Sequence, residues 1–202
     1  MTEIRPEHIE WAVVDRLMKM LKVPGHDNFH VTETFAYFSS VLCWVLQHVR
    51  ISGREQETPG DCRAAALATA LEQESIHAEP WCVQLGDRVV ASIRIPAAEG
   101  FADHNVMQFM KNLRDAVAHG DARNVEPFHS RGSGADRKLL GFTFQCAELK
   151  NRKLVWSGSI TLLQSDMRHI ATTLAKLYCD AVSGKSEDFT GDARRHVKEA
   201  AA

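Results

Sequence analysis

Between Thr32 and Val49 the chain carries Phe35, Ala36, Phe38, Val41, Leu42, Trp44, Val45 and Leu46. A helix over this stretch is apolar nearly all round, so it must be enclosed by other elements in the middle of a bundle. Thr32 is suited to cap its start. Partners for it are legible on both sides. A first helix opens at Pro6, a residue at home in a first helical turn. It places Ile9, Val13, Leu17, Met20 and Leu21 on one stripe before Pro24-Gly25 ends it near Val23. A third helix, with an alanine-rich face, runs from about Asp61 to Ser75.

The period then changes. Trp81–Leu85 and Arg88–Ile95 flank Gly86-Asp87, which predicts a β-hairpin. A fourth helix runs from about Asp103 to His119-Gly120, where glycine favours a left-handed exit. Leu139–Cys146 and Leu154–Thr161 form a second predicted hairpin with its tip at Lys150–Lys153. The last helix, expected to be capped by Ser165, aligns Met167, Ile170, Leu174, Leu177 and Val182. The expected fold is mainly α: a helical bundle with one or two inserted β-hairpins. It forms a single domain over 1–202 with a polar, frayed tail from about 186.

Composition narrows the function classes. The 24 Lys and Arg against 26 Asp and Glu leave a net charge of −2 with the ten His neutral, so any nucleic-acid contact must be local. No apolar run approaches the roughly 20 residues of a membrane span. The start of the chain lacks the basic-then-apolar pattern of a signal peptide. The five cysteines are scattered, never C-x-x-C, and read as reduced thiols. The expectation is a cytoplasmic protein with no membrane association. P-loop, G-x-G-x-x-G, H-E-x-x-H and G-x-S-x-G motifs do not occur. His26, Asp27 and His30 have spacings a metal could use, but the surrounding loop reads better as a capped turn, so no metal and no cofactor are expected.

The chemically informative stretch is Phe109–Phe128. On the fourth helix Val106, Phe109, Met110, Leu113 and Val117 share a core face, with Arg114 on its flank. Asp115 and His119, four apart, lie together on the polar side. A carboxylate one turn before an imidazole can accept its ring N–H, fix the tautomer and favour the charged form. The plain structural account is that His119 caps the helix C-terminus and Arg114 snorkels over apolar neighbours.

Arg114-Asp115-Ala116-Val117-Ala118-His119 resembles the motif of the HEPN superfamily. Its ribonuclease members carry R-x4-6-H at the end of an inner helix, often with Asn or Asp directly after the Arg. The resemblance implies a HEPN-like bundle and a metal-independent endoribonuclease, in which the RNA 2′-OH attacks the adjacent phosphorus. His119 would transfer protons, Arg114 would bind and stabilise the phosphate, and Asp115 would orient His119. Five residues turn an ideal helix by roughly 500°, so Arg114 and His119 point about 140° apart. Either the helix bends or ends between them, or a second copy completes the site; the resemblance implies the latter, a homodimer with both residues of both chains in one groove. Arg123, Arg131, Arg137 and Lys138 would track RNA phosphates around that cleft, with acidic Asp121, Glu126 and Asp136 interleaved, and Lys150, Arg152 and Lys153 cap the second hairpin. The setting implied is a toxin–antitoxin or defence system with an antitoxin or regulatory partner. The alternative is a non-catalytic HEPN dimer that binds nucleotide, RNA or a partner protein.

Overall fold

The computed structural model describes residues 9–23, 29–52, 59–83, 104–118, 124–131, 137–150 and 153–183. Five helices and three strands occur among them: α1 (Ile9–Lys22), α2 (His30–Ser52), α3 (Pro59–Gln73), α4 (Val106–Ala118), β1 (Val125–His129), β2 (Leu139–Lys150), β3 (Lys153–Leu163) and α5 (Gln164–Ser183). The chain is mostly helical with one small antiparallel sheet, ordered β1-β2-β3. No helix among the described residues is long and apolar enough to cross a membrane.

α2 is the central element. It packs against α1, α3, α4, α5 and β2, and Phe38, Val41, Leu42 and Val45 are fully buried. Fully burying each such side chain contributes about 1.5–3 kcal/mol. Two polar ties align α2 with α5. Near their first turns the Gln164 amide donates to the His30 carbonyl (3.2 Å) and to Thr34 Oγ1 (3.1 Å). Farther along both helices, His48 Nδ1 and the Tyr178 hydroxyl lie 2.5 Å apart in the core. Start meets start and end meets end, so the two helices run in the same direction. The chain between them supplies α3, α4 and the sheet, which is the long crossover a parallel pair needs.

The second hairpin forms as expected. β2 and β3 pair from Gly141↔Leu163 to Lys150↔Lys153, and the tip residues 151–152 lie outside the described residues. Phe142 and Phe144 of β2 meet Phe35, with ring centroids 4.3 and 6.2 Å away, and Phe144 also meets Phe38 edge-on at 5.8 Å. β1 was not legible: it has five residues and a proline at its centre. Pro127 is tolerated because β1 is an edge strand, where one face of the ladder has no partner to satisfy.

Three local expectations change. The first hairpin is not seen where its opening is described: Trp81 lies in a turn and Cys82 and Val83 are outside any strand, while 84–95 lie outside the described residues. Trp81 is instead a buried anchor whose indole N–H donates to Glu74 Oε2 at 2.6 Å. His169 Nε2 donates to the Pro80 and Trp81 carbonyls, both at 3.0 Å, which ties the turn to α5. α2 starts at His30, so Thr32 lies inside its first turn and does not cap it. α5 starts at Gln164, and Asp166, not Ser165, closes its start by accepting the Leu163 N–H at 3.0 Å. That is the return half of a capping box. Pro6 and the tail from 186 lie outside the described residues.

Gly141 is a point of close approach between β2 and β3. A Cβ there would sit 2.0 Å from the Leu162 carbonyl oxygen and 2.8 Å from Leu163 Cα, both backbone atoms of the paired strand. Gly141→Ala must push β2 off β3 and is expected to lower unfolding stability by about 3 kcal/mol. Urea denaturation followed by circular dichroism measures it, and an unchanged midpoint contradicts this account.

Candidate functional site

α4 is held at its start by its own sequence. The Asn105 side chain accepts the Gln108 backbone N–H at 2.8 Å, satisfying one of the helix's free donors. The Val106 N–H donates to the Glu74 carbonyl at 3.0 Å, and Ser75 and Asn105 form a β-bridge. These contacts dock α4 beside the end of α3. Its buried side comprises Val106, Phe109, Met110, Asn112, Leu113 and Ala116. The core arc thus extends through Asn112 and Ala116, while Val117 is only half-buried against it. Sequence patterning passed over Asn112 because a polar residue breaks an apolar stripe. It is 2% exposed.

Arg114 falls on the flank, as its position on the helical wheel implies, and only 16% of its side chain is accessible. Asp115 follows with 37% accessible, and Arg114 Nε lies 2.8 Å from Asp115 Oδ1. Consecutive helical residues do not normally face each other; the long arginine stem folds back to make this contact. Arg114 Nε is shielded from solvent and makes no aligned hydrogen bond among the described residues, so the contact is an ion pair by distance alone. One Asp115 oxygen is thereby placed on Arg114. A guanidinium also carries two terminal amino groups, which can make a planar, two-point contact.

Two thiols report on this pair. Cys43, half-buried on α2, is pushed up by burial; the Arg114 charge acts to lower it and the Asp115 charge to raise it. Cys146, buried on β2, is pushed up to about 12 by burial and, after that, by Asp115. α4 packs on α2 and β2, with both charges within electrostatic reach of Cys43 and Asp115 within reach of Cys146. Neither cysteine is legible as a neighbour of Arg114 in the sequence, since packing across three elements brings them there.

His119 and Arg123 lie outside the described residues. α4 ends at Ala118, directly before His119. Arg131, Arg137 and Lys138 are all exposed and gather at the mouth of the β1–β2 connection. There the Ser130 N–H donates to the Lys138 carbonyl (2.8 Å), and the Lys138 N–H donates to Ser130 Oγ (3.0 Å). This is the end of the sheet away from Cys146. Lys150 and Lys153 close the hairpin at the opposite tip. Among the described residues no group of three or more His, Cys, Asp or Glu could hold a metal ion. Compared with known proteins, the chain matches no family model, no curated protein and no solved structure.

Thiol chemistry tests this geometry. Cys62 and Cys82 are exposed and should react first with a maleimide near pH 8, while Cys146 stays protected in the native protein. Asp115→Asn removes a charge that raises the Cys43 pKa and should speed its alkylation several-fold. Arg114→Gln removes a charge that lowers that pKa and should slow it. Mass spectrometry of timed aliquots separates the sites; equal Cys43 rates in all three proteins would contradict the placement.

Proposed function

We propose that this protein is a metal-independent endoribonuclease of HEPN type, acting in the cytoplasm as a homodimer with a composite Arg114/His119 site. The observation that carries the reading is Arg114: a mostly covered side chain whose Nε lies 2.8 Å from Asp115 Oδ1, in the last turns of the amphipathic inner helix Val106–Ala118. A phosphate needs this kind of fixed, two-point cation.

In this mechanism a base removes the proton of an RNA 2′-OH, and that oxygen attacks the adjacent phosphorus. The bond from phosphorus to the 5′ oxygen breaks, and an acid protonates the departing oxygen, leaving a 2′,3′-cyclic phosphate and a 5′-OH. His119 of one protomer supplies the base and His119 of the other the acid, since an imidazole titrates near working pH. Arg114 offsets the charge that builds on the non-bridging oxygens. Asp115 pairs with Arg114 by charge, and its second oxygen is the acceptor that orients the His119 ring. Control by an antitoxin or other regulatory protein, in a toxin or defence role, belongs to the same proposal.

The Arg114–Asp115 contact also favours a second reading, a HEPN-type dimer that binds nucleotide, RNA or a partner protein without cleaving. A carboxylate on the phosphate-binding cation offsets part of its charge. Incubation with mixed RNA in the presence of EDTA distinguishes the two. Catalysis gives EDTA-resistant products ending in cyclic phosphate, reduced by about 10²-fold or more in Arg114→Ala and in His119→Ala. It gives none when the 2′-OH at the scissile nucleotide is replaced by hydrogen. A mobility shift without products selects the binding reading, and a monomer by light scattering would falsify the composite site.

A further inference from the structure

Arg131, Arg137 and Lys138 form a cationic cluster built by the β1–β2 hairpin. The reciprocal Ser130–Lys138 hydrogen bonds, 2.8 and 3.0 Å, clamp the two strand ends so that Arg131 stands beside Arg137-Lys138. All three side chains are exposed, and among the described residues none has an ion-pair partner. Arg114 differs on each point: it is mostly covered and already carries a carboxylate.

The sheet sets the separation of the two positive centres. α4 packs on β2, with Asp115 within electrostatic reach of Cys146. The chain re-enters the sheet after α4 at the same level, where the Gln145 N–H donates to the Asn124 carbonyl at 2.8 Å. Lys138 directly precedes β2 and stands eight residues before Cys146. At about 3.3 Å per residue that is roughly 25 Å along the strand. No single phosphate can touch both centres of one protomer.

We infer that the Arg131/Arg137/Lys138 cluster is a separate docking site for the phosphate backbone of single-stranded RNA, lying one sheet-length from the Arg114 site. This rests on the ribonuclease reading for its substrate and adds a length requirement to it. A strand joining the two centres spans about 25 Å, about seven nucleotides at 3.4 Å each when stacked and fewer when extended. Three exposed cations that pair with no carboxylate among the described residues supply the non-specific, salt-sensitive part of binding, while Arg114 engages the one phosphate where bonds change. Short RNA reaches only one centre.

The test uses the full chain and 5′-fluorescein oligouridylates of 3, 8 and 16 nucleotides with 2′-O-methyl groups, which bind without being cut. Fluorescence anisotropy is read from 50 to 200 mM KCl. The wild type should bind the 8-mer and 16-mer at least tenfold tighter than the 3-mer. Arg131→Gln/Arg137→Gln/Lys138→Gln should bring the 16-mer to within about twofold of the 3-mer and flatten the log–log salt slope by about two, the value for three phosphates on a single strand. Arg63→Gln/Lys176→Gln, which removes exposed charge from α3 and α5, should leave the length dependence intact. Equal length dependence in the triple variant and wild type overturns the inference, as does equal loss in the α3/α5 variant or equal affinity for a 16-base-pair DNA duplex. Because the readout is binding, its failure is distinct from failure of the nuclease reading: EDTA-resistant cleavage with no length dependence sinks the docking site alone. Length-dependent binding without cleavage sinks the nuclease alone.

Discussion

α2 must be hidden along most of its circumference, and the remaining elements follow from how that is done. Two helical neighbours cannot enclose a helix whose Phe38, Val41, Leu42, Val45, Leu46 and Val49 all need cover. α1, α3, α4 and α5 take four sides, and β2 presents Phe142 and Phe144 to the Phe35–Phe38 edge. The sheet is thus a wall of the bundle, not an appendage. This explains why β2 alternates: Phe144 and Cys146 are buried, whereas Ala147 on the alternate face is exposed. Two polar groups trapped by this packing find partners, Thr34 with Gln164 and His48 with Tyr178, whereas Ser39 Oγ and Glu33 Oε2 on the same helix make no hydrogen bond among the described residues. An unpaired buried polar group would cost about 1–3 kcal/mol.

What could be read from the sequence was whatever depends on neighbours in the chain. The apolar circumference of α2, the stripe on α4 and the hairpin of β2 and β3 are periodic signals, and each appears within a few residues of its expected place. What failed depends on contacts between distant segments. Trp81 looked like the start of a strand because an aromatic followed by Cys and Val suits one; its burial against Glu74 and the His169 bonds to its turn come from α3 and α5. β1 is short and broken by Pro127, and is a strand only because β2 offers it an edge. Helix starts depend on the same kind of contact. Thr32 and Ser165 have capping chemistry, but Asp166 and the chain geometry at His30 decide where the helices begin.

The site follows the same division. Arg114 on the flank of α4 and Asp115 beyond it follow from 100° per residue alone. That the two side chains close on each other does not, because neighbours on a helix normally diverge. Their placement opposite Cys43 and Cys146 depends on α2 and β2 packing against α4. Likewise Arg131 and Arg137, six apart in the chain, become neighbours only because Ser130 and Lys138 close the hairpin between them.

Stability alone gives a poor account of the Arg114–Asp115 pair. A cation in the last turns of a helix interacts favourably with its dipole and an anion unfavourably, each by about 0.3–1 kcal/mol, so adjacent opposite charges largely cancel. Covering a guanidinium costs desolvation that an ion pair without an aligned hydrogen bond repays incompletely. An apolar side chain at 114 would cover the α2–β2 junction without that cost. Local rules are broken in folded proteins chiefly where a site needs them broken. On these terms the covered Arg114–Asp115 pair is not accounted for by what it adds to folding.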